Sequence, residues 1–209
     1  MSLDTAEQWI RILGAIPGLA SLAYAILAMF RSLRRPIGRE EGGARIALRA
    51  PVLIVATLLF LLAGALTWRP LPIEPPPWIR ALLLAVGALS MLDGLALYLW
   101  GMRALGQMFG PSSGFGIRLH AQHHLVTAGP YAFLRHPMYL GVISAAVGSL
   151  LLYRTWATLA FAIMMFGTVV RARREERVLA EEFGAEWEAY AHNVRPWLPR
   201  LGSKQKRGA

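Results

Sequence analysis

Residues 138–170 read MYLGVISAAVGSLLLYRTWATLAFAIMMFGTVV. Two apolar runs, Met138 to Tyr153 and Trp156 to Val170, are separated only by Arg154 and Thr155. Each is somewhat short of the ~20 residues that cross a hydrocarbon core, and their near-contact predicts a tight helical hairpin. Upstream lie three further apolar segments, Trp9 to Phe30, Pro51 to Trp68 and Trp78 to Trp100, which reach or approach the spanning length. With 209 residues, 56% of them apolar, and a mean hydropathy of +0.43, the chain is too apolar and too discontinuously charged for an ordinary soluble domain. The fold predicted is an all-α, multi-pass integral membrane protein of about five transmembrane helices.

Charge sets the expected orientation. The net charge of +10 is concentrated between spans: Arg31, Arg34, Arg35, Arg39, Arg45 and Arg49 follow the first, and Arg171, Arg173, Arg174, Arg177, Arg195, Arg200, Lys204, Lys206 and Arg207 follow the last. By the positive-inside rule both regions are cytoplasmic, so the N-terminus lies outside and the proline-rich link Arg69 to Pro77 falls on the far side. The basic excess is therefore expected to meet anionic membrane lipids and not nucleic acid. The excess of arginine over lysine suits a GC-rich bacterial genome, and the location expected is a bacterial inner membrane. The absence of cysteine excludes disulfides, thiolate nucleophiles and thiolate zinc sites. Asp4 and Glu7 in place of a basic region, and the length of the first apolar run, argue against a cleaved signal peptide.

Three organisational units are expected: a scaffold of three spans (1–100), a catalytic half (101–200) and a disordered tail (201–209). Pro17 and Gly18 are expected to kink the first span. Asp93, in the third, is either a functional carboxylate or a buried structural hydrogen-bonding group. Residues 101–135 turn to Gly, Ser, His and scattered Arg, which predicts a long cytoplasmic connector with no continuous helix. The fifth helix should continue into water from Arg171 to Phe183, with Gly184 as its C-cap. A second amphipathic helix, Ala185 to Asn193, follows, and Trp187, Tyr190 and Trp197 suit the bilayer interface.

Chemistry is expected where aromatics, arginine and histidine crowd before an apolar run, from Gly129 through Arg135, His136, Pro137 and Tyr139 to Gly141. Pro137 disfavours helix at His136 and suits the first turn of the helix that follows, which places Tyr139 on that turn. Arg171 and Glu175, four apart, share a helix face. They form either a surface ion pair or part of a site at the level where the helix leaves the membrane. His120, His123, His124 and His136 match no standard zinc spacing, so no metal site is expected. Dinucleotide fingerprints, phosphate loops and serine nucleophile elbows are absent.

The ordered motifs His-x-Leu-Val, Gly-Pro-Tyr, Arg-His-Pro-x-Tyr-x-Gly, Arg-x-x-x-Glu-Glu and Phe-Gly, spread over Leu105 to Pro199, resemble the isoprenylcysteine carboxyl methyltransferase family, which is related to phospholipid methyltransferases. The resemblance implies S-adenosyl-L-methionine as methyl donor in a cytosol-facing pocket capped by the C-terminal helix. Carried over, it assigns His123, His124, Leu125, Val126, Tyr131, His136, Pro137, Met138, Tyr139 and Glu175 to the donor, and Arg171 to the acceptor as catalytic and substrate-binding residue. A position that often bears a side-chain amide in that family is Gly116 here, which leaves that contact to Gln107, Gln122 or backbone. The acceptor implied is the carboxylate of an S-isoprenylcysteine, as a small molecule or a protein C-terminus, or a similar lipid-like group. Phospholipid N-methylation, small-thiol S-methylation, a sterol-reductase-like activity and a non-enzymatic scaffold or transporter are the alternatives. The sequence leaves the oligomeric state open.

Overall fold

The computed structural model describes residues 2–33, 37–42, 50–109, 112–113, 116–120 and 124–198. The tail beyond 198, His123 and Gln122 lie outside them. Seven α-helices are present among the described residues: α1 (Leu3–Leu33), α2 (Ala50–Leu66), α3 (Pro77–Leu105), α4 (Pro137–Tyr153), α5 (Trp156–Phe166), α6 (Thr168–Phe183) and α7 (Ala185–Asn193). Among the described residues, three helical stretches are long and apolar enough to cross a membrane: Leu3–Arg31, Pro77–Met108 and Trp156–Phe183. Pro51–Leu66 and Pro137–Tyr153 are shorter apolar helices. α1 runs through Pro17 as one helix.

Small residues let the central pair, α3 and α4, approach backbone to backbone. A Cβ added at Gly94 would lie 2.4 Å from the Ala145 nitrogen, and one at Gly148 would lie 2.3 Å from the Met91 nitrogen. Gly87 faces Leu152, and Gly101 faces Met138. These partners advance in opposite directions, so α3 and α4 are antiparallel, with Gly87, Gly94 and Gly101 set seven apart against Gly141, Ala145 and Gly148. In lipid, where apolar burial supplies no driving force between helices, such close backbone contact and its dispersion energy take that role. α1 runs parallel to α3, since Glu7 meets Arg80 and Gly14 meets Met91. α2 packs antiparallel to α5 through Phe60 and Phe161, whose rings are 6.0 Å apart.

The hairpin expected between α4 and α5 is present. Arg154 adopts a left-handed conformation (φ 52°) and ends α4. Thr155 caps α5 reciprocally with Thr158, satisfying backbone donors that would otherwise be stranded in lipid. The link after α2 pairs with this turn: the Leu71 amide donates to the Arg154 carbonyl at 2.8 Å and the Trp156 amide to the Arg69 carbonyl at 3.0 Å. α5 and α6 are separated by Gly167, whose amide donates to the carbonyls of Met164 and Met165, so the helical path continues with a local turn. Gly184, at φ 47°, caps α6 as expected.

Two features depart from the sequence reading. The polar connectors are not wholly irregular: β1 (Ile37–Gly42), β2 (Ser112–Ser113) and β3 (Gly116–His120) form a small antiparallel sheet in the order β1-β3-β2. Pairing between distant connectors satisfies their backbone groups without helix, which the glycine-rich composition disfavours. Asp93 is exposed on α3, not buried in a structural hydrogen bond, because the packed face of the helix runs through Gly87, Met91, Gly94 and Gly101.

Candidate functional site

The residues of interest gather where α3 ends, α4 begins and α6 passes. His136 has a non-helical backbone (φ −124°, ψ 53°) while its carbonyl already accepts the Leu140 amide at 3.0 Å, so the chain enters α4 through Pro137. That entry fixes Tyr139 on the first turn. Its hydroxyl donates to the Glu175 carboxylate at 2.8 Å, and the Arg171 guanidinium lies 5.3 Å from its ring centroid. The four-residue spacing of Arg171 and Glu175 therefore converges both on one tyrosine.

Glu176 faces another way. One residue further around α6, its Oε1 accepts from His136 Nε2 at 2.8 Å and from Arg135 at 2.9 Å. The His136 ring stacks on Tyr139, with centroids 5.6 Å apart and planes at 20°, and meets Trp197 at 5.4 Å. α6 thus grips the start of α4 with two adjacent carboxylates, each satisfied by a different partner. Charge-assisted hydrogen bonds of this kind are about twice as strong as neutral ones.

The C-terminal segment closes the arrangement from outside. The Arg135 amide donates to the Arg195 carbonyl at 2.9 Å and the His136 amide to the Pro196 carbonyl at 3.2 Å, around a parallel bridge between Leu134 and Arg195. Tyr190 donates its hydroxyl to the Tyr131 carbonyl at 2.8 Å. Trp187 is buried beneath Arg135, whose guanidinium lies 5.9 Å from its ring centroid. Trp187, Tyr190 and Trp197 therefore brace the site, because α7 folds back under the entry to α4. Burial pushes the Tyr131 phenol well above its ordinary range and the Tyr190 phenol up to about 12, so both are neutral at physiological pH.

Tyr131, His136, Pro137, Met138, Tyr139, Arg171 and Glu175 are brought to one end of the bundle; Tyr131 and Met138 both lie against Gly101 of α3. Close approach is required there, since a Cβ on Gly101 would stand 2.6 Å from the Met138 side chain. His124 is exposed, and its amide meets the sulfur of Met108, just beyond the end of α3, at 3.4 Å; Leu125 and Val126 are half-buried. His123 lies outside the described residues. Gly116 pairs with Gly42 in the sheet. Sequence reasoning assigned no role to Glu176, and it placed Arg135 in the chemical segment without foreseeing their ion pair or the contacts of Trp187, Tyr190 and Trp197. The adjacency of two carboxylates was a usable signal, since neighbours on a helix point about 100° apart and reach different partners. No group of three or more histidine, aspartate or glutamate side chains able to hold a metal occurs among the described residues.

A family model described as phospholipid methyltransferase matches residues 82–186, half of the chain, from α3 to the start of α7. The chain belongs to the phospholipid methyltransferase family. The matched region contains every site residue named above except Trp187, Tyr190, Arg195, Pro196 and Trp197. Among curated relatives of this family member, a probable protein-S-isoprenylcysteine O-methyltransferase from Oryza sativa is 39% identical over 87 residues, 40% of this chain and 46% of the relative. The protein-S-isoprenylcysteine O-methyltransferase of Saccharomyces cerevisiae is 36% identical over 81 residues, 38% of this chain and 34% of the relative. The cobalt-zinc-cadmium resistance protein CzcN of Cupriavidus metallidurans is 30% identical over 155 residues, 72% of this chain and 62% of the relative. The chain spans about half the length of the rice relative.

Proposed function

We propose that this protein is an integral membrane methyltransferase that takes its methyl group from S-adenosyl-L-methionine and delivers it to a lipid-like acceptor, with the carboxylate of an S-isoprenylcysteine as the leading class. The observation that carries the reading is the convergence of Arg171 and Glu175 on Tyr139 at the head of an apolar helix. Family membership and the isoprenylcysteine methyltransferase relatives support it.

The side chains fit such a donor. Its sulfonium supplies an electrophilic methyl group, and electron-rich rings such as those of Tyr131 and Tyr139 attract that charge. Glu175 is an acceptor for the donor's ammonium or ribose hydroxyls, and Tyr139 fixes its orientation. Tyr131, neutral and buried, adds an aromatic wall without a competing charge. His124, Leu125 and Val126 would form the outer side of the same pocket.

A carboxylate acceptor is already ionised near neutral pH and needs no general base. Its oxygen forms the new bond to the methyl carbon as the carbon–sulfur bond breaks; an ester and a neutral thioether result, and no proton is released. The work of the chain is alignment in a dry site, with reacting atoms about 3–3.5 Å apart. Arg171 holds the acceptor anion, and the Glu176–His136–Arg135 linkage keeps the start of α4 in place. The arginines that follow the first and last spans in the sequence support, by the positive-inside rule, a site facing the cytoplasm, and a bacterial inner membrane is the location proposed.

The family description itself favours a second reading, a phospholipid amine as acceptor. Transfer of labelled methyl from S-adenosylmethionine to an S-farnesylcysteine analogue, to total membrane lipids and to small thiols, run in parallel, tests both. Label in the analogue is expected; label confined to lipids or thiols would replace the acceptor and keep the donor.

A further inference from the structure

At the end of the bundle opposite the candidate site, Glu7 is buried among arginines. Arg11 lies 2.6 Å and Arg80 2.7 Å from its carboxylate, and Arg154 also contacts it; Arg80 reaches Asp4 as well. Three guanidinium groups thus face two carboxylates, which leaves a surplus positive charge in a partly desolvated setting. Desolvated cations favour an additional anion. Arg11 is held in place: its Nε donates to the Leu152 carbonyl at 3.0 Å, and the Tyr153 hydroxyl donates to the Arg11 carbonyl at 2.9 Å.

Arg11 also forms one wall of a cleft of about 430 Å³, whose other walls include Ile12, Ala15, Trp68 and Tyr153. Three tryptophans fix its depth. Trp68, Trp78 and Trp156 are 54%, 69% and 49% exposed, and all stand at or just beyond helix ends on this side. Exposed tryptophans at helix ends mark the level of lipid headgroups. Below the cleft, Ile12, Ile16 and Leu19 form an exposed apolar strip along one face of α1 toward the bilayer interior. An anchored cation at headgroup level, continuous with an apolar strip, matches the two ends of one molecule.

We propose that this cleft binds a phospholipid with a net-negative headgroup, its phosphate at Arg11 and one acyl chain along Ile12, Ile16 and Leu19, in the leaflet opposite the candidate methyl-donor site. The planar fork of arginine suits phosphate oxygens. The lipid would bridge α1 to the hairpin turn at Tyr153 and to Trp68 after α2, joining three elements that meet at this end.

The test uses the full chain purified in detergent, with lipid retention read by native mass spectrometry and stability by thermal unfolding. Phosphatidylglycerol is expected to be retained and to raise the unfolding temperature more than phosphatidylcholine at equal concentration. Arg11→Gln removes the cation, and Ala15→Phe fills the cleft while leaving the Glu7 cluster untouched; each should lower phosphatidylglycerol retention about tenfold, equivalent to about 1.4 kcal/mol. Equal retention of the two lipids, or retention unchanged in Ala15→Phe, would overturn the proposal. Equal stabilisation by inorganic phosphate alone would also overturn it, in favour of a free anion.

Discussion

Replacing Gly94 with alanine should loosen the joint on which the candidate site stands. The new Cβ would lie 2.4 Å from the Ala145 nitrogen and 2.5 Å from the Gly141 oxygen, about 1 Å short of ordinary contact at both. Both obstacles are backbone atoms, so no side-chain rotation relieves them, and α3 and α4 must separate along their shared face. Overpacking of this kind costs about 1–3 kcal/mol, and the upper end is expected because backbone is also close at the neighbouring glycines, 2.3 Å from an added Cβ at Gly148 and 2.9 Å at Gly87. Gly64→Ala is the matched control: nothing lies within 4 Å of its added Cβ, and gain of helix propensity should leave stability unchanged or higher by up to about 1 kcal/mol. Function should respond as well. Gly141 lies half a turn beyond Tyr139, so a separation approaching 1 Å displaces Tyr139 from Glu175, and misplacement on that scale can cost about 100-fold in rate. Thermal unfolding in one detergent, followed by donor binding and methyl transfer, reads all three quantities. If Gly94→Ala unfolded at the same temperature as Gly64→Ala, the backbone-contact account of the α3–α4 pair would be wrong.

Glu176→Gln should destabilise the fold by about 1–3 kcal/mol, because Arg135 and the buried His136 lose their shared carboxylate; an unchanged unfolding midpoint would contradict the clamp. Arg171→Ala should leave donor affinity within a few-fold while lowering turnover with anionic acceptors, and normal turnover would remove the carboxylate-holding role. Burial raises the Tyr190 phenol to about 12 in the folded chain, whereas an unfolded tyrosine ionises near pH 10. Its contribution is therefore complete below about pH 10 and lost as pH rises toward 12. The stability advantage of the native chain over Tyr190→Phe should shrink across that interval, and a constant difference would refute the assignment.

The spans were legible because their apolar content is continuous and their ends are marked. Arg154 and Thr155 announced the hairpin as the polar break between two apolar runs, whereas Gly184 announced the end of α6 and Pro137 the start of α4 through local backbone preferences that tertiary structure did not override. The spacing of Arg171 and Glu175 likewise foretold their convergence on one face. What composition hid was partnership. Gly87, Gly94 and Gly101 recur every seven residues, yet apolar content alone does not distinguish a packed glycine from a tolerated one. The pairing of β1 with β3 joins connectors roughly 80 residues apart, and no local signal in either carries it. Trp187, Tyr190 and Trp197 have the composition of interfacial aromatics; only the return of α7 beneath Arg135 turns them into braces. Glu176 was visible beside Glu175, but its partner, His136, lies 40 residues away.

The central claim is that Glu175, oriented by Tyr139, holds the methyl donor. Binding of S-adenosylhomocysteine to the purified full chain and to Glu175→Ala, measured by isothermal titration under identical conditions, tests it most directly. The account predicts saturable binding by the native chain and at least tenfold weaker binding by the variant. Equal affinity in the two would contradict the assignment of Glu175, and absence of binding by a folded native chain would contradict the methyl-donor site itself.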